Sequence, residues 1–197
     1  MKKILTTGGL GFIGSHTVVA LQNQGHEVYI IDNLSNATLD VLDGIEKITG
    51  VRPHFFKLDL REKAAVYDFF KAHTDLDGII HFAASKAVGE SVQKPLHYYE
   101  NNVGALLNML QAISDLELSI NFIFSSSCTV YGQAAQMPIK EDAPVQKAES
   151  PYGKTKQICE QMLKENACQS VSLRYFNPIG SHSTSLIGDC SADILNN

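Results

Sequence analysis

The 197-residue chain has no apolar run long enough to cross a bilayer, so no membrane-spanning helix is expected. It has no excess of basic charge. Its 16 Lys and Arg face 21 Asp and Glu, for a net charge of -5. Nucleic acid is therefore not an expected partner, and ligand phosphates would have to be held mainly by backbone N–H groups. Cysteine is sparse. Cys128, Cys159, Cys168 and Cys190 form no CxxC pair, which points to free thiols in a reducing cytoplasm. The seven histidines are scattered without zinc spacing, so no metal is expected. The apolar residues after Met1-Lys2-Lys3 stop at Leu5 and glycines follow, unlike a secretory leader. There is no internal repeat and no low-complexity stretch. At 44% hydrophobic and 19% charged, the remaining class is an ordinary soluble globular chain with one good core.

What is present begins with a glycine turn. Lys2–Thr7 reads as a strand, Gly8-Gly9-Leu10-Gly11-Phe12-Ile13-Gly14 as a tight turn, and Ser15 onward as a helix. Strand, glycine turn and helix in that order open a nucleotide-binding βαβ unit. Gly8, Gly11 and Gly14 let the backbone approach a pyrophosphate. The helix start offers that anion unpaired N–H groups and the positive end of its dipole.

Strand and helix patterns alternate along the chain, six strands in all counting Lys2–Thr7. The helices are expected over Gly11–Gln24, Leu39–Thr49, Arg61–His73, Leu96–Asp115 and Ser150–Ala167. The strands between them are expected over Glu27–Asp32, His54–Leu58, Gly78–Phe82, Ser119–Ser125 and Ser170–Tyr175. Ala83–Lys94 reads as a loop. Ser150-Pro151 is a helix start with Pro in the first turn. This alternation implies an α/β fold with a doubly wound parallel sheet and right-handed crossovers. Ligands then bind beyond the carboxyl ends of the strands. Residues 1–176 read as the nucleotide-binding domain. Residues 177–197, rich in Gly, Ser, Asn and Asp, read as a linker or the start of a substrate domain that the chain does not complete.

The chemistry-bearing residues fall at those strand ends. Asp32, 18 residues after Gly14, is placed to accept hydrogen bonds from ribose hydroxyls and to repel a 2′-phosphate, which favours NAD over NADP. Asp59 is either an acceptor for an adenine amino group or the N-cap of the third helix. Phe82-Ala83-Ala84 ends a strand with small side chains that let a ligand lie against the backbone. Ser125-Ser126-Ser127 ends the fifth strand. Tyr152 and Lys156 sit four apart on one helix face. A free phenol has a pKa of about 10, too high for a base at neutral pH. A neighbouring ammonium and a cationic nicotinamide together would favour the phenolate.

These segments resemble the extended short-chain dehydrogenase/reductase family, and within it the sugar-nucleotide 4-epimerases. The likeness runs through Thr7–Ser15, Asp32-Asn33-Leu34, His81–Ala84, Lys86–Val92, Tyr99–Asn102, Phe124–Gly132, Ser150–Lys156 and Leu173–Pro178. It implies a tightly bound NAD that cycles without being consumed. Tyr152 would take the proton from a sugar 4-hydroxyl, helped by Ser127. Lys156 would bind the nicotinamide ribose and depress the Tyr152 pKa. The resemblance assigns Phe12, Ile13, Asn33, Leu34, Ser35, Asn36 and Leu60 to the cofactor lining, along with Lys86, Asn101, Ser125 and Phe176. It assigns Lys86, Ser127, Tyr152 and Asn177 to a UDP-sugar. The implied reaction interconverts UDP-glucose and UDP-galactose. The family's chain continues well past 197 residues, so weak turnover is expected of this chain. Other UDP-sugars, the glucuronate or an N-acetylhexosamine, stay open as substrates. A 4,6-dehydratase is disfavoured because Cys128-Thr129-Val130 supply no carboxylate after the strand-five serines, and the complete Ser127, Tyr152 and Lys156 set disfavours a non-catalytic NAD-binding regulator. The family also pairs subunits through two helices, which would place Leu106, Leu110 and Ile158 in a homodimer contact or in ordinary core.

Overall fold

In the computed structural model, residues 1–166 and 169–189 are described. Cys168, Cys190, the expected helix end at Ala167 and the tail 190–197 lie outside them. Six strands form one parallel sheet: β1 (Lys3–Thr7), β2 (Glu27–Asp32), β3 (His54–Lys57), β4 (Gly78–His81), β5 (Asn121–Ser127) and β6 (Ser170–Tyr175). Their spatial order is β3-β2-β1-β4-β5-β6. The order reverses between β1 and β4, where Thr7 pairs His81. That junction is the switch point at which such sheets open a crevice.

The sheet is covered on both faces, and β2 shows why. Successive strand residues point to opposite faces. Val28 and Ile30 join one core cluster with Leu10, Val18, Val41, Leu42 and Ile45. Leu10 comes from the β1–α1 turn and the others from β2's own crossover helices, α1 (Phe12–Asn23) and α2 (Asp40–Thr49). Tyr29 and Ile31 join the opposite cluster with Phe69, Phe70, Met109 and Phe122. There the helices are α3 (Lys63–Ala72), α6 (Ala105–Asp115) and α7 (Pro151–Glu165). The run Val28-Tyr29-Ile30-Ile31 is apolar throughout because neither face meets water.

Three stretches differ from the sequence pattern. The expected loop 83–94 contains a short helix, α4 (Val88–Gln93). The expected helix Leu96–Asp115 is broken into α5 (Pro95–Tyr98), a π-helical turn (Tyr99–Gly104) and α6. The wide turn admits Asn102 to the interior, where its side chain bonds Ser85 and Thr155. Those partners lie far away in sequence, so no local pattern announces the turn. The fifth strand runs two residues later than expected, because its ladder with β6 continues to the pair Ser127↔Tyr175. The serines are therefore the end of the strand itself. A 3₁₀ turn (Cys128–Tyr131) follows directly, with Ser127 as its cap.

Leu106 and Leu110 are buried in the core beneath the sheet, so they serve packing and not a contact between subunits. Ile158 is half-buried. Within 177–189, Ile187 is buried among the α1 and α2 side chains. The Leu186 carbonyl comes so near Gly44 that a Cβ there would lie 2.5 Å from it.

Candidate active site

Three glycines of the first turn converge on one carbonyl oxygen. Gly8 has φ +64°, and a Cβ on it would sit 2.7 Å from the Ala83 backbone nitrogen. Gly11 donates its N–H to the Gly8 carbonyl at 3.1 Å. A Cβ on Gly14 would overlap that same oxygen. At Gly8 and Gly14 only hydrogen lets β1 turn into α1 while lying against the end of β4. Gly11 is the N-cap residue of α1, and among the described residues no side chain caps the helix. The first-turn N–H groups therefore remain for another acceptor.

Asp32 closes β2 beside this turn and is nearly buried. One carboxylate oxygen accepts the Leu10 N–H at 3.2 Å, and the other accepts the Leu34 N–H at 2.9 Å. Burial pushes its pKa up, and the two backbone donors oppose that rise. Leu34 itself has φ 62°. Asn33 accepts the Ser35 N–H at 3.0 Å and donates to Asp59 at 3.2 Å. Asp59 does not cap α3, whose N-cap is Glu62. Its oxygens instead accept from the Arg61 guanidinium at 3.0 and 2.7 Å and from the Arg61 N–H at 3.0 Å. That guanidinium holds the Asp59 carboxyl well below the usual carboxylate range. Leu60 is buried in the core with the α3 and α6 side chains.

The reactive side chains meet where β5 ends and α7 begins. Ser150 caps α7 by accepting the Gly153 N–H at 3.1 Å, and Pro151 occupies the first turn. The first two turns then carry Tyr152 and Lys156 toward the sheet. Lys156 is almost wholly buried and donates to the Ser125 carbonyl at 2.7 Å. Its ammonium lies 4.8 Å from the Phe124 ring centre and 5.8 Å from that of Tyr152. Burial pulls Lys156 down to about 8. Ser127 accepts two hydrogen bonds from Thr129, from its N–H at 3.2 Å and its hydroxyl at 3.0 Å. Its own proton is thereby left to donate elsewhere. The protein by itself does not lower the Tyr152 phenol. Burial raises its pKa, and hydrogen bonding to Ser127 only partly offsets that. The ammonium of Lys156 alone does not reverse the cost of moving a phenolate out of water.

Several side chains behind the site make contacts that local spacing does not announce. His81 is buried, its ring nitrogen 2.6 Å from the Thr7 hydroxyl. Burial beside Lys156 drops it to about 3, so it is neutral. Asn102 accepts the Ser85 N–H at 2.8 Å and donates to the Ser85 carbonyl at 3.0 Å and to Thr155 at 3.1 Å. Asn101 donates to the Ser85 hydroxyl at 3.2 Å. This pins the segment after β4 to α7. Ser126, Glu160 and Arg174 form a second buried group one turn deeper. Each of these polar residues lies in a different element from its partner, so spacing along the chain does not connect them.

Of the remaining candidates, Phe12, Ile13, Phe82, Ala83 and Ala84 are half-buried around the crevice, and Ser35 and Asn36 are exposed at its edge. Lys86 is exposed, 3.7 Å from Asp189. Phe176 and Asn177 are exposed beyond β6. A cavity of about 460 Å³ lies between Phe12 and the segment 178–189.

The chain matches the NAD dependent epimerase/dehydratase family over residues 4–196. It is 44% identical to the UDP-glucose 4-epimerase of Neisseria meningitidis serogroup B, matching across 100% of this chain and 59% of that protein. The Drosophila melanogaster UDP-glucose 4-epimerase is 42% identical over 94% of this chain and 56% of its own length. The chain thus spans less than three fifths of the length of these curated relatives. A crystal structure of the Bifidobacterium longum UDP-glucose 4-epimerase, in complex with NAD+ and UDP, superposes with a TM-score of 0.94 at 39% identity. It covers 100% of this chain, and this chain covers 59% of it. The Stenotrophomonas maltophila enzyme, with bound NAD and formylated UDP-arabinopyranose, gives 0.93 at 39% identity with the same coverage.

Proposed function

The chain belongs to the NAD dependent epimerase/dehydratase family, and from that premise we propose that it holds NAD over the carboxyl ends of β1, β2, β4 and β5 and interconverts UDP-glucose and UDP-galactose. The donor set fits the cofactor. Uncapped N–H groups at the start of α1 suit a pyrophosphate. The Asp32 carboxylate keeps lone pairs for a ribose diol after accepting from Leu10 and Leu34. Lys156 keeps two N–H donors beyond the one given to Ser125. Bound there, NAD would accept a hydride from the sugar C4 and return it to the other face. The NAD and UDP in the two crystal structures named above support the same ligands here.

The protein's own part is proton transfer and orientation. Tyr152 takes the proton of the 4-hydroxyl and gives it back when the sugar is reduced again. Ser127 donates to the same oxygen, its own lone pairs already engaged by Thr129. Lys156 supplies positive charge that favours the phenolate once substrate and cofactor exclude water. The 3₁₀ turn after Ser127 brings Cys128 and Thr129, and neither is an acid that a dehydration would need. A cytoplasmic homodimer belongs to this reading. Leu107 is half-exposed on α6 and is the apolar residue of that helix free to face a second subunit.

The observation that carries the proposal is the meeting of Ser127, Tyr152 and Lys156 above an uncapped glycine turn. It is tested by titrating the protein with NAD, then supplying UDP-galactose and following sugar products and reduced-nicotinamide absorbance. UDP-glucose formed without net NADH is the expected result. Net NADH would make it a dehydrogenase, a keto-deoxy sugar a dehydratase, and no NAD binding would remove the proposal.

A further inference from the structure

Glu160 lies one helical turn beyond Lys156 and two beyond Tyr152 on α7, and it is 5% exposed. Its carboxylate is fully engaged. One oxygen accepts the Ser126 hydroxyl at 2.6 Å and Arg174 Nε at 2.9 Å, and the other accepts Arg174 Nη2 at 2.8 Å. Ser126 and Arg174 are paired neighbours on β5 and β6. Ser126 stands between Ser125, whose carbonyl receives Lys156, and Ser127. The Arg174 guanidinium also lies 4.7 Å from the centre of the Tyr131 ring, at the end of the 3₁₀ turn. One carboxylate therefore ties together every element that carries a reactive group.

A purely structural role would not call for this chemistry. A buried ion pair is commonly no more stabilising than apolar residues of the same volume. What apolar residues cannot provide is fixed geometry through several directed bonds, or a negative charge beside a buried ammonium. We propose that Glu160 is a positioning residue for the Tyr152–Lys156 pair. Its carboxylate registers α7 against the ends of β5 and β6 and supplies the countercharge that the buried Lys156 faces. This goes beyond the proposed reaction and depends on it only for its effect on NAD.

The other groups around Lys156 do not replace that charge. Tyr152 and Cys159 share its helix, and burial raises the pKa of both. His81 approaches from β4 and is neutral. β5 offers the uncharged serines and a carbonyl. Arg174 of β6 is cationic and is itself held by Glu160.

The test is a ¹³C-lysine NMR titration of the protein and of Glu160→Gln, with the Lys156 signal assigned by Lys156→Met. NAD affinity is measured for both at pH 6 and 7.5. In the parent, Lys156 titrates at about 8. In Glu160→Gln the midpoint is expected about one pH unit lower, since residues four apart on a helix are neighbours at ~6 Å and an opposite charge that near shifts a group by ~1 unit. NAD affinity should then fall roughly threefold at pH 7.5 and stay level at pH 6, where both lysines are charged. An unmoved midpoint, or an equal loss at both pH values, overturns the proposal. If Glu160→Gln does not fold, it is combined with Arg174→Met; the departing cation offsets part of the lost anion, so a smaller fall of the Lys156 midpoint is expected, and no fall overturns the proposal. Failure of both to fold makes Glu160 a folding residue and overturns the proposal. A parent that binds no NAD overturns the functional reading instead, and the Lys156 midpoint still decides Glu160.

Discussion

The crevice has two halves built in opposite ways. At the β1–α1 turn, function depends on atoms that are missing. Gly8, Gly11 and Gly14 leave room for one carbonyl and for the end of β4, and the groups offered to a ligand belong to the backbone. At the β5–α7 junction, function depends on atoms that are present. Ser127, Tyr152 and Lys156 are side chains from two elements, with Lys156 held by Ser125 and Ser127 by Thr129. A site made of absence fails when a methyl is added. A site made of side chains fails when a functional atom is removed, and the fold beneath it survives.

The sharpest separation comes from Tyr152→Phe. Loss of a positioned proton-transfer group should lower conversion of UDP-galactose by about 10³-fold or more, while NAD affinity stays within about twofold. Near-normal turnover would take Tyr152 out of the chemistry. Gly14→Ala tests the other half. Its methyl meets the Gly8 carbonyl, so urea denaturation should show a loss of about 3 kcal/mol, with NAD binding lost alongside. An alanine variant as stable as the parent would show that the turn can yield. Asp32→Asn keeps shape and removes charge at the seam between the halves. Calorimetry should find NAD affinity roughly tenfold weaker, the size of a lost charged hydrogen bond, and stability should fall by about 1–2 kcal/mol, because the amide NH2 cannot accept from one of the two backbone N–H groups of Leu10 and Leu34.

The smallest effect carries the opposite sign. Lys156 has its folded pKa lowered from 10.5 to about 8 by burial. Between those values the unfolded chain binds more proton than the folded one, so this group makes stability rise with pH across that window. Below pH 8 the full cost is present, roughly 3 kcal/mol. Lys156→Met should therefore stabilise the fold at pH 7 by roughly 1–2 kcal/mol, after the lost bond to Ser125 is counted. The gain over the parent should shrink as pH climbs from 8 to 10.5. A destabilised Lys156→Met at pH 7 would mean that the lysine holds the fold together, and the contrast between the halves would weaken.

Much of the first half was legible because its causes are local. Glycine spacing, an apolar strand and an acidic residue at the end of β2 sit within 32 residues of one another. The Tyr152–Lys156 pair was legible because helical periodicity alone places both on one face. The Ser150 cap was legible for the same reason. The sequence reading failed where a partner lies far along the chain. It ended β5 at Ser125 because it could not see β6 extending the ladder to Ser127. It ran one helix from Leu96 to Asp115 because it could not see Ser85 and Thr155 drawing Asn102 inward. It offered Asp59 as a cap of the third helix, where the cap is Glu62, and missed Arg61. It tied a lowered Tyr152 phenol to Lys156 and a cationic nicotinamide together, and the protein's own share of that balance, in which burial raises the phenol, appears only in the fold.

The order of strands and helices, the glycine turn and the placing of reactive residues at carboxyl ends were thus determined by the sequence alone. Periodicity, turn chemistry and chain direction all act over a few residues, and each leaves its mark in local spacing. Tertiary structure decided which of those residues meet, which are dry, and what charge they carry. Desolvation and long-range hydrogen bonds depend on what the fold brings from elsewhere. For that reason Lys156 at about 8, the raised phenol of Tyr152 and the hold of Glu160 on three elements appear only once the chain is packed.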